Sequence, residues 1–485
     1  MRSERDSIGE LLVPDEALYG IHSLRARSNF SNDHIFPIEW YKAVHIVKLA
    51  YYLTYKEFKS KAKNRLENIE HININFDDKI IESIIESASE GSKGKYFDNF
   101  IVPAIQGGAG TSINMNINEI IANSSLLKMG YKQGDYNYVD PIDHANMFQS
   151  TNDVIPSALK IAIINLLNDL EKSINYLRSK IEILEEKYRI IPRIAYTQYQ
   201  AAVPSSYGLL FSSYNDALSR DWWRVSKCFE RIKMLNVGGS AVGTGLSVPR
   251  YFIMNVIQKL QELTSLPLAR AENMTDNTQN LDTFVEIHSI IKANAVNIEK
   301  ISSDIRLLAS DIHNQGVVKI LKLQAGSSIM PGKVNPVAVE YAISISHQIY
   351  ANDGLISNLC GLGSLDLNPY LPLIGVKFIE SLKLLISANN SLANNLFEEL
   401  EVDREKANKD FVNNPSITTF LNTFIGYNKS DKLAKAMKEN SIDIFEANSI
   451  LKLIDQDKLK EMIKVENFLK LGFSLDDLEK SILSS

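Results

Sequence analysis

The feature that most constrains the fold is a long apolar seam in the middle of the chain. Residues 158–191 contain neither glycine nor proline, and apolar side chains recur within them at alternating spacings of four and three. The seam consists of Ile163, Leu167, Leu170, Ile174, Leu177, Ile181, Leu184 and Tyr188. This spacing places the seam on one face of an α-helix. We therefore predict one long helix, which Pro192 ends because proline has no backbone N–H to donate.

A second seam predicts a partner for this helix, within residues 277–315, which also lack glycine and proline. It runs through Phe284, Ile287, Ile291, Asn294, Ile298, Ile301, Ile305 and Leu308. Further periodic stretches cover about 209–235, 338–359 and 376–400. Five such helices, the longest roughly 45–55 Å, favour a helical bundle. Seams of this length indicate burial against other subunits, although a monomeric bundle satisfies the same pattern.

Composition limits the classes of function. The chain has 485 residues, too many for one compact core, and its net charge of -6 offers no basic surface for nucleic acid. The two cysteines, Cys228 and Cys360, form no C-x-x-C pair. A disulfide framework or cysteine zinc site is therefore not indicated, which suits a reducing cytoplasm. The charged N-terminus and the short apolar runs predict neither a secretory signal nor a membrane span.

The pattern along the chain predicts three domains. Residues 1–142 are mixed and mostly helical, residues 143–400 carry the long helices, and residues 401–485 form a small C-terminal helical domain. Within the last part, helical pieces are predicted at 431–439 and 475–483.

Three polar segments interrupt the helical pattern and are candidates for chemistry. Residues 106–114, QGGAGTSIN, place Thr111 where a helix begins, and free N–H groups there can hold a carboxylate. Residues 149–153, QSTND, precede the long helix. Taken alone, these two segments are also typical of ordinary helix capping. Residues 326–336, GSSIMPGKVNP, form a Gly- and Pro-rich loop whose Lys333 can bind an anion. None of the three matches a nucleotide-binding P-loop.

The loop GSSIMPGKVNP resembles the signature loop of the aspartase/fumarase superfamily, and further blocks resemble that family in its own order. They are VPDEALYGIHSLRARSNF (13–30), QGGAGTSINMNINEIIAN (106–123), DHANMFQSTND (143–153), TQYQAAVP (197–204), GGSAVGTGL (238–246), LDLNPYLP (365–372) and FLNTFIGYNKSDKLAK (420–435). The resemblance implies a mainly α, three-domain fold with a central five-helix bundle. It implies a homotetramer with a twenty-helix core and active sites that each draw on three subunits. It further implies cofactor-free elimination from a small dicarboxylate of the succinate type to give fumarate, with no fixed metal site, although magnesium can activate such enzymes.

The resemblance also implies roles for individual residues. Ser327 matches the catalytic base, and its alkoxide requires Lys333 and loop N–H groups in a closed, dry site. Thr197 and Gln198 match catalytic positions, and Glu340 matches a glutamate that orients its neighbours. The groups expected to hold the β-carboxylate are Thr111, Ser150, Thr151 and the backbone of Ser328. Those expected at the α-carboxylate are Lys333 and Asn335, with Asn152 at the amino group.

Local features favour the aspartase branch of the family over the fumarase branch. Thr111 lies in Gly-Thr-Ser, Thr151 in Ser-Thr-Asn, and Gln198 stands where fumarases carry histidine. Hydroxide is a poor leaving group and needs a general acid, whereas an ammonium group already carries its proton. Gln198 cannot donate a proton in this way, so ammonia elimination from L-aspartate is the expectation. The alternatives are fumarate hydration, a lyase for another N- or O-substituted succinate, and an inactive structural or interaction homologue.

Four positions depart from the family pattern around the expected site. Tyr196 stands in place of arginine, Ala201 in place of aspartate and Ser247 in place of asparagine, and Pro369 directly follows Asn368. These departures permit a different amine leaving group, altered loop motion or weak activity. His22 and His144 lie in family blocks and are predicted to be structural.

Overall fold

The computed structural model describes residues 1–65, 76–312 and 316–475, and the fold is mainly α. The α-helices are α1 Ile21–Asn29, α2 Ile38–Lys63, α3 Asp78–Ser92, α4 Thr111–Lys128, α5 Thr151–Lys187, α6 Tyr207–Ile232, α7 Arg250–Thr264, α8 Met274–Gln279, α9 Asp282–Leu308, α10 Val337–Cys360, α11 Leu371–Leu392, α12 Arg404–Asn413, α13 Thr418–Ile425, α14 Tyr427–Asn440, α15 Ile444–Leu451, α16 Gln456–Met462 and α17 Val465–Phe468. A π-helical turn, Ala393–Phe397, follows α11, and 3-10 turns lie at Phe97–Asn99 and Pro415–Ile417.

The strands are short and occur in pairs. They are β1 Arg2–Arg5, β2 Glu10–Val13, β3 Pro192–Thr197, β4 Gln200–Ser206, β5 Met234–Leu235, β6 Ala269–Arg270, β7 Val318–Lys319 and β8 Glu401–Val402. The pairs β1–β2, β3–β4 and β7–β8 are antiparallel, and β5–β6 is parallel. Among the helices of the described residues, none is long and apolar enough to cross a membrane.

The two predicted seams lie on the longest helices of the middle region. The first seam is buried on α5 from Ile163 to Leu184, and Tyr188 is buried just beyond the helix, which ends at Lys187, before Pro192. On α9 the second seam is buried from Phe284 to Ile305, with Leu308 half-buried. The stretches predicted near 209–235, 338–359 and 376–400 correspond to α6, α10 and α11. The prediction of five long helices is therefore confirmed.

The start of α5 differs from the prediction, because the helix begins at Thr151 and not near residue 158. Pro156 lies inside the helix and has no N–H to donate to the carbonyl four residues earlier, that of Asn152. Asn236 supplies the missing donor, since its Nδ2 lies 2.9 Å from that carbonyl oxygen. A long-range side chain thus allows a helical turn that the local sequence argues against.

The chain forms two compact units, which are described separately. The first comprises Met1–Glu171, Trp223–Ala293 and His347–Leu385. Its core includes the aromatic face of α2, and the Trp40 Nε1 donates to the Ile155 carbonyl on α5 at 3.2 Å. Where α9, α10 and α11 meet in this unit, His288 lies 3.0 Å from both Asp353 and Ser381.

The second unit comprises Lys172–Trp222, Asn294–Ser346 and Ile386–Ser485. Its helices α6 and α9 are joined by Asp221, which accepts hydrogen bonds from Asn294 and Asn297. The short helices after residue 400 surround an apolar cluster of their own, to which Phe411, Leu421 and Leu433 contribute. The helix predicted at 431–439 lies within α14, whereas nearly all of 475–483 lies outside the described residues. The division at 142 and 400 stays a prediction.

The N-terminus of α1 rests on a buried carboxylate from α4. Glu119 accepts hydrogen bonds from the backbone N–H groups of Gly20 and His22 at 2.8 Å, from that of Ser23 at 3.2 Å, and from the Ser23 hydroxyl. Its side chain is almost fully buried, and this burial raises the pKa of Glu119 from 4.5 to about 7. His22 thus belongs to a structural contact through its backbone.

Glu119 makes stability depend on pH. A raised carboxyl pKa contributes stability that is complete below the unfolded value of 4.5 and is lost as the pH rises through about 7. Glutamine cannot ionise, so the stability of Glu119→Gln relative to the wild type should increase by on the order of 3 kcal/mol between about pH 5 and about pH 8.5. Urea unfolding at both pH values measures this difference, and a difference that does not change with pH would contradict it.

Candidate active site

The first predicted segment turns sharply into α4. Gly110, with a φ of 91°, precedes Thr111, which is the first residue of the helix and is exposed. A Cβ added at Gly110 would lie 3.1 Å from the Ile155 Cγ2 on α5, in addition to the unfavourable positive φ. Glycine here brings the start of α4 against the first turns of α5, so the first and second predicted segments lie side by side in the first unit.

The second predicted segment forms the start of α5. The Ser150 backbone N–H donates to Asp153 Oδ1 at 2.9 Å, and the Ser150 Oγ accepts from the Asn152 N–H at 3.3 Å. The Asn152 Nδ2 donates to the Ala241 carbonyl at 2.8 Å. Because a carbonyl can only accept, this contact fixes the amide and leaves Asn152 Oδ1 as an acceptor facing away from Ala241.

A buried hydrogen-bond network, which the sequence alone did not predict, surrounds Asp153 at the end of this segment. Asp153 Oδ2 accepts from the Tyr51 hydroxyl at 2.9 Å and from the Ser240 N–H at 3.2 Å, and Tyr51 accepts from the Gly238 N–H at 2.6 Å. Burial raises the pKa of Asp153 to about 6. Nearby, Lys48 donates to Gln149 at 2.9 Å, and burial lowers its pKa to about 7. These contacts tie the 238–246 block to the 149–153 segment.

Thr197 and Gln198 lie at the tip of a hairpin in the second unit. Thr197 pairs with Gln200, so Gln198 and Tyr199 form a two-residue turn, with φ values of 53° and 60°. Positive φ at both positions is the type I′ pattern, in which asparagine and glycine are usual. The tip is exposed, and Gln198 and Tyr199 line a groove of about 570 Å³ within this unit. Tyr196, one of the departures, pairs across the hairpin with Ala201, another.

The third predicted segment is a closed loop, also in the second unit. The Gly326 N–H donates to the Lys333 carbonyl at 2.9 Å, and the Asn335 Nδ2 donates to the Gly326 carbonyl at 2.9 Å. A Cβ at Gly326 would lie 2.6 Å from the Lys333 oxygen, so glycine is required for this closure. Lys333 and Ser328 are exposed.

Ser327 occupies a particular position within this loop. Its Oγ accepts from the backbone N–H groups of Ile329 at 3.2 Å and Met330 at 3.0 Å. Donors of this kind favour negative charge on the oxygen that accepts them. Glu340, in the first turn of α10, lies 3.4 Å from the Arg306 guanidinium.

Comparison with known proteins gives the family. A model of the lyase family matches residues 9–351. A protein of Helicobacter pylori named aspartate ammonia-lyase is 35% identical over 475 residues, which cover 97% of this chain and 98% of that protein. Another of that name from Escherichia coli K12 is 33% identical over 97% of this chain and 96% of its own. The chain belongs to the aspartase/fumarase lyase family.

Solved structures of the lyase family share this fold. A fumarate lyase:delta crystallin from Brucella melitensis bound to cobalt superposes with a TM-score of 0.88 at 29% identity, covering 99% of each chain. A recombinant class II fumarase from Schistosoma mansoni superposes with a TM-score of 0.83 at 27% identity, covering 96% of this chain and 98% of that one. The predicted family and the mainly α fold are both confirmed.

For a lyase of this family, the predicted site residues fall into two groups. The structure places Thr111, Ser150, Thr151 and Asn152 in the first unit, around the junction of α4 and α5. The second unit carries Thr197, Gln198, Ser327, Ser328, Lys333, Asn335 and Glu340. The roles assigned to these residues stay predictions. The sequence did not indicate Tyr51, because its contacts with Asp153 and Gly238 each span about a hundred residues or more.

Proposed function

We propose that this lyase eliminates ammonia from L-aspartate to give fumarate. The observation that carries the proposal is the orientation of the Asn152 amide, whose Nδ2 is committed to the Ala241 carbonyl. The remaining Oδ1 can only accept, which suits an ammonium group because that group can only donate, whereas a hydroxyl could also have used a donor at this position. Gln198 supports the same reading, since it offers no general acid for a hydroxide leaving group.

The proposed reaction begins at the carbon next to the β-carboxylate. Ser327 Oγ, deprotonated within its loop, takes a proton from this carbon, and the electron pair passes into an aci-carboxylate. The hydroxyls of Thr111, Ser150 and Thr151 and the backbone of Ser328 stabilise the resulting charge. The C–N bond then breaks, the C=C bond of fumarate forms, and the ammonium leaves as neutral ammonia.

The remaining groups hold the substrate in this scheme. Lys333 and Asn335 bind the α-carboxylate, the lysine as a charged donor and the asparagine through its amide. Thr197 and Gln198 approach from the hairpin tip, and Glu340 keeps the start of α10 in place through Arg306. No organic cofactor takes part in this scheme and no step requires a metal, although magnesium can activate enzymes of this family.

We further propose that the chain works as a cytoplasmic homotetramer with a twenty-helix core, in which each active site takes residues from three subunits.

The relatives named aspartate ammonia-lyase, matched along almost their whole length, support the reaction. The structural likeness to a class II fumarase keeps fumarate hydration as a second candidate.

One assay separates the candidates. Purified protein is incubated with L-aspartate, L-malate or an N-substituted aspartate, and fumarate is followed by its ultraviolet absorbance. We expect fumarate from L-aspartate and little or none from L-malate. Fumarate from L-malate alone would indicate a hydratase, and fumarate from the N-substituted substrate alone a lyase for another amine. No turnover of any substrate would indicate an inactive homologue.

A further inference from the structure

A chain of side-chain amides connects α4 to the start of α5 within the first unit. The Asn146 Nδ2 donates to the Gln149 carbonyl at 3.1 Å. The Asn146 Oδ1 accepts from the Nδ2 of Asn114 at 3.0 Å and from that of Asn118 at 3.2 Å. The Asn114 Nδ2 also donates to the Thr151 Oγ1 at 3.3 Å.

The direction of every hydrogen bond among these side-chain amides follows from one backbone carbonyl. Because the Gln149 carbonyl can only accept, the NH₂ group of Asn146 must face it and the Asn146 oxygen must face α4. Asn114 must then present its own NH₂ group to Asn146. The second proton of that NH₂ group is directed at the Thr151 oxygen, which accepts it.

This arrangement leaves buried oxygen atoms without hydrogen-bond donors, so the fixed direction of its hydrogen bonds has an energetic cost. Asn114 and Asn118 are buried, and the Oδ1 of each accepts no hydrogen bond from any residue that the structure describes. Buried polar atoms in folded proteins are almost always paired, so two unpaired oxygens in one cluster call for an explanation. Neither Asn114 nor Asn118 could turn its amide around without facing the Asn146 oxygen with its own oxygen.

We infer that Asn114 is a positioning residue that fixes the Thr151 hydroxyl as a hydrogen-bond donor to a carboxylate oxygen of the substrate. The Thr151 oxygen accepts from Asn114, and its proton is donated to no residue that the structure describes, so it is available to an acceptor on the half-exposed side of the residue. A carboxylate oxygen is such an acceptor, while Asn152 next to it offers an acceptor for a cation. The identity of the dicarboxylate rests on the proposed function.

Succinate provides a test that does not depend on turnover, since it has both carboxylates and no leaving group. Asn114→Leu keeps a similar side-chain size and adds no charge, but it removes the Nδ2 donor that holds the Thr151 hydroxyl. We expect the Kd for succinate, measured by calorimetry, to rise roughly 2- to 10-fold, the range for one neutral hydrogen bond. Asn118→Leu is the matched control, because Asn118 also donates to the Asn146 Oδ1 but makes no described contact with Thr151, and its Kd should stay close to that of the wild type.

A double-mutant cycle distinguishes positioning from general damage to the fold. With Thr151→Val there is no hydroxyl to orient, so adding Asn114→Leu should not weaken succinate binding further. An equal loss in that background, or unchanged binding in Asn114→Leu alone, would overturn the inference, as would a wild-type protein that does not bind succinate. A wild-type protein that binds succinate but does not convert L-aspartate would contradict only the proposed reaction.

Discussion

Replacing Ser327 with alanine should lower kcat for fumarate formation from L-aspartate by about 10²- to 10⁴-fold, the range expected when a general base is lost. The Ser327 oxygen accepts two backbone N–H groups, from Ile329 and Met330, which favour the charged form that a base requires. Alanine keeps the Cβ but lacks the Oγ, so it has no atom that can take the proton from carbon.

The neighbouring serine provides a matched control. Only the backbone of Ser328 is expected to contact substrate, and its side chain is exposed, so Ser328→Ala should keep kcat close to that of the wild type. Succinate binding to Ser327→Ala should persist, because the carboxylate-binding groups remain. Wild-type kcat in Ser327→Ala would exclude this serine as the base, and equal losses in both variants would point to the loop as a whole.

The long helices could be predicted because their periodicity is strong and their apolar faces are narrow. Every residue of the α5 seam is buried, as its spacing requires. Helix α2 was not predicted, for the opposite reason. Its buried residues include the unbroken run 47–52, which goes around the helix and does not form one stripe. A helix that is buried on most sides has little amphipathic period to detect.

The candidate site was predictable only where it lies in contiguous segments. The loop around Ser327 and Lys333 is a single stretch of eleven residues, so its composition and its resemblance to a family could be read directly. The turn at Gln198 and Tyr199 lacks the asparagine and glycine that normally indicate a type I′ hairpin. No local pattern could show that positive φ would occur there.

Contacts between distant parts of the sequence were beyond prediction from a single chain. Asn236 lies more than eighty residues from the Asn152 carbonyl that it satisfies, and Tyr51 about a hundred residues from Asp153. Such partners are specified by the packing of helices, and one sequence alone carries no record of which residues meet. Asn114 belonged to a quoted segment, yet its role depends on Asn146 and Thr151.

The second large effect concerns the assembly of the active site from different subunits. Thr111→Ala removes a hydroxyl carried by the first unit, and Ser327→Ala removes the proposed base, which the second unit carries. Each variant alone should show almost no turnover. In a hybrid oligomer of both, some sites should receive an intact Thr111 from one chain and an intact Ser327 from another, and activity should return.

Hybrids prepared by co-expression of differently tagged chains therefore test most directly whether each active site takes residues from different subunits. The matched control combines Ser327→Ala with Lys333→Met, two changes in the same loop, so that no chain in the hybrid has an intact loop. We predict that the Thr111→Ala/Ser327→Ala hybrid forms fumarate from L-aspartate far faster than either parent, while the control hybrid stays as inactive as its parents. Equal inactivity of the two hybrids would contradict an active site shared between subunits.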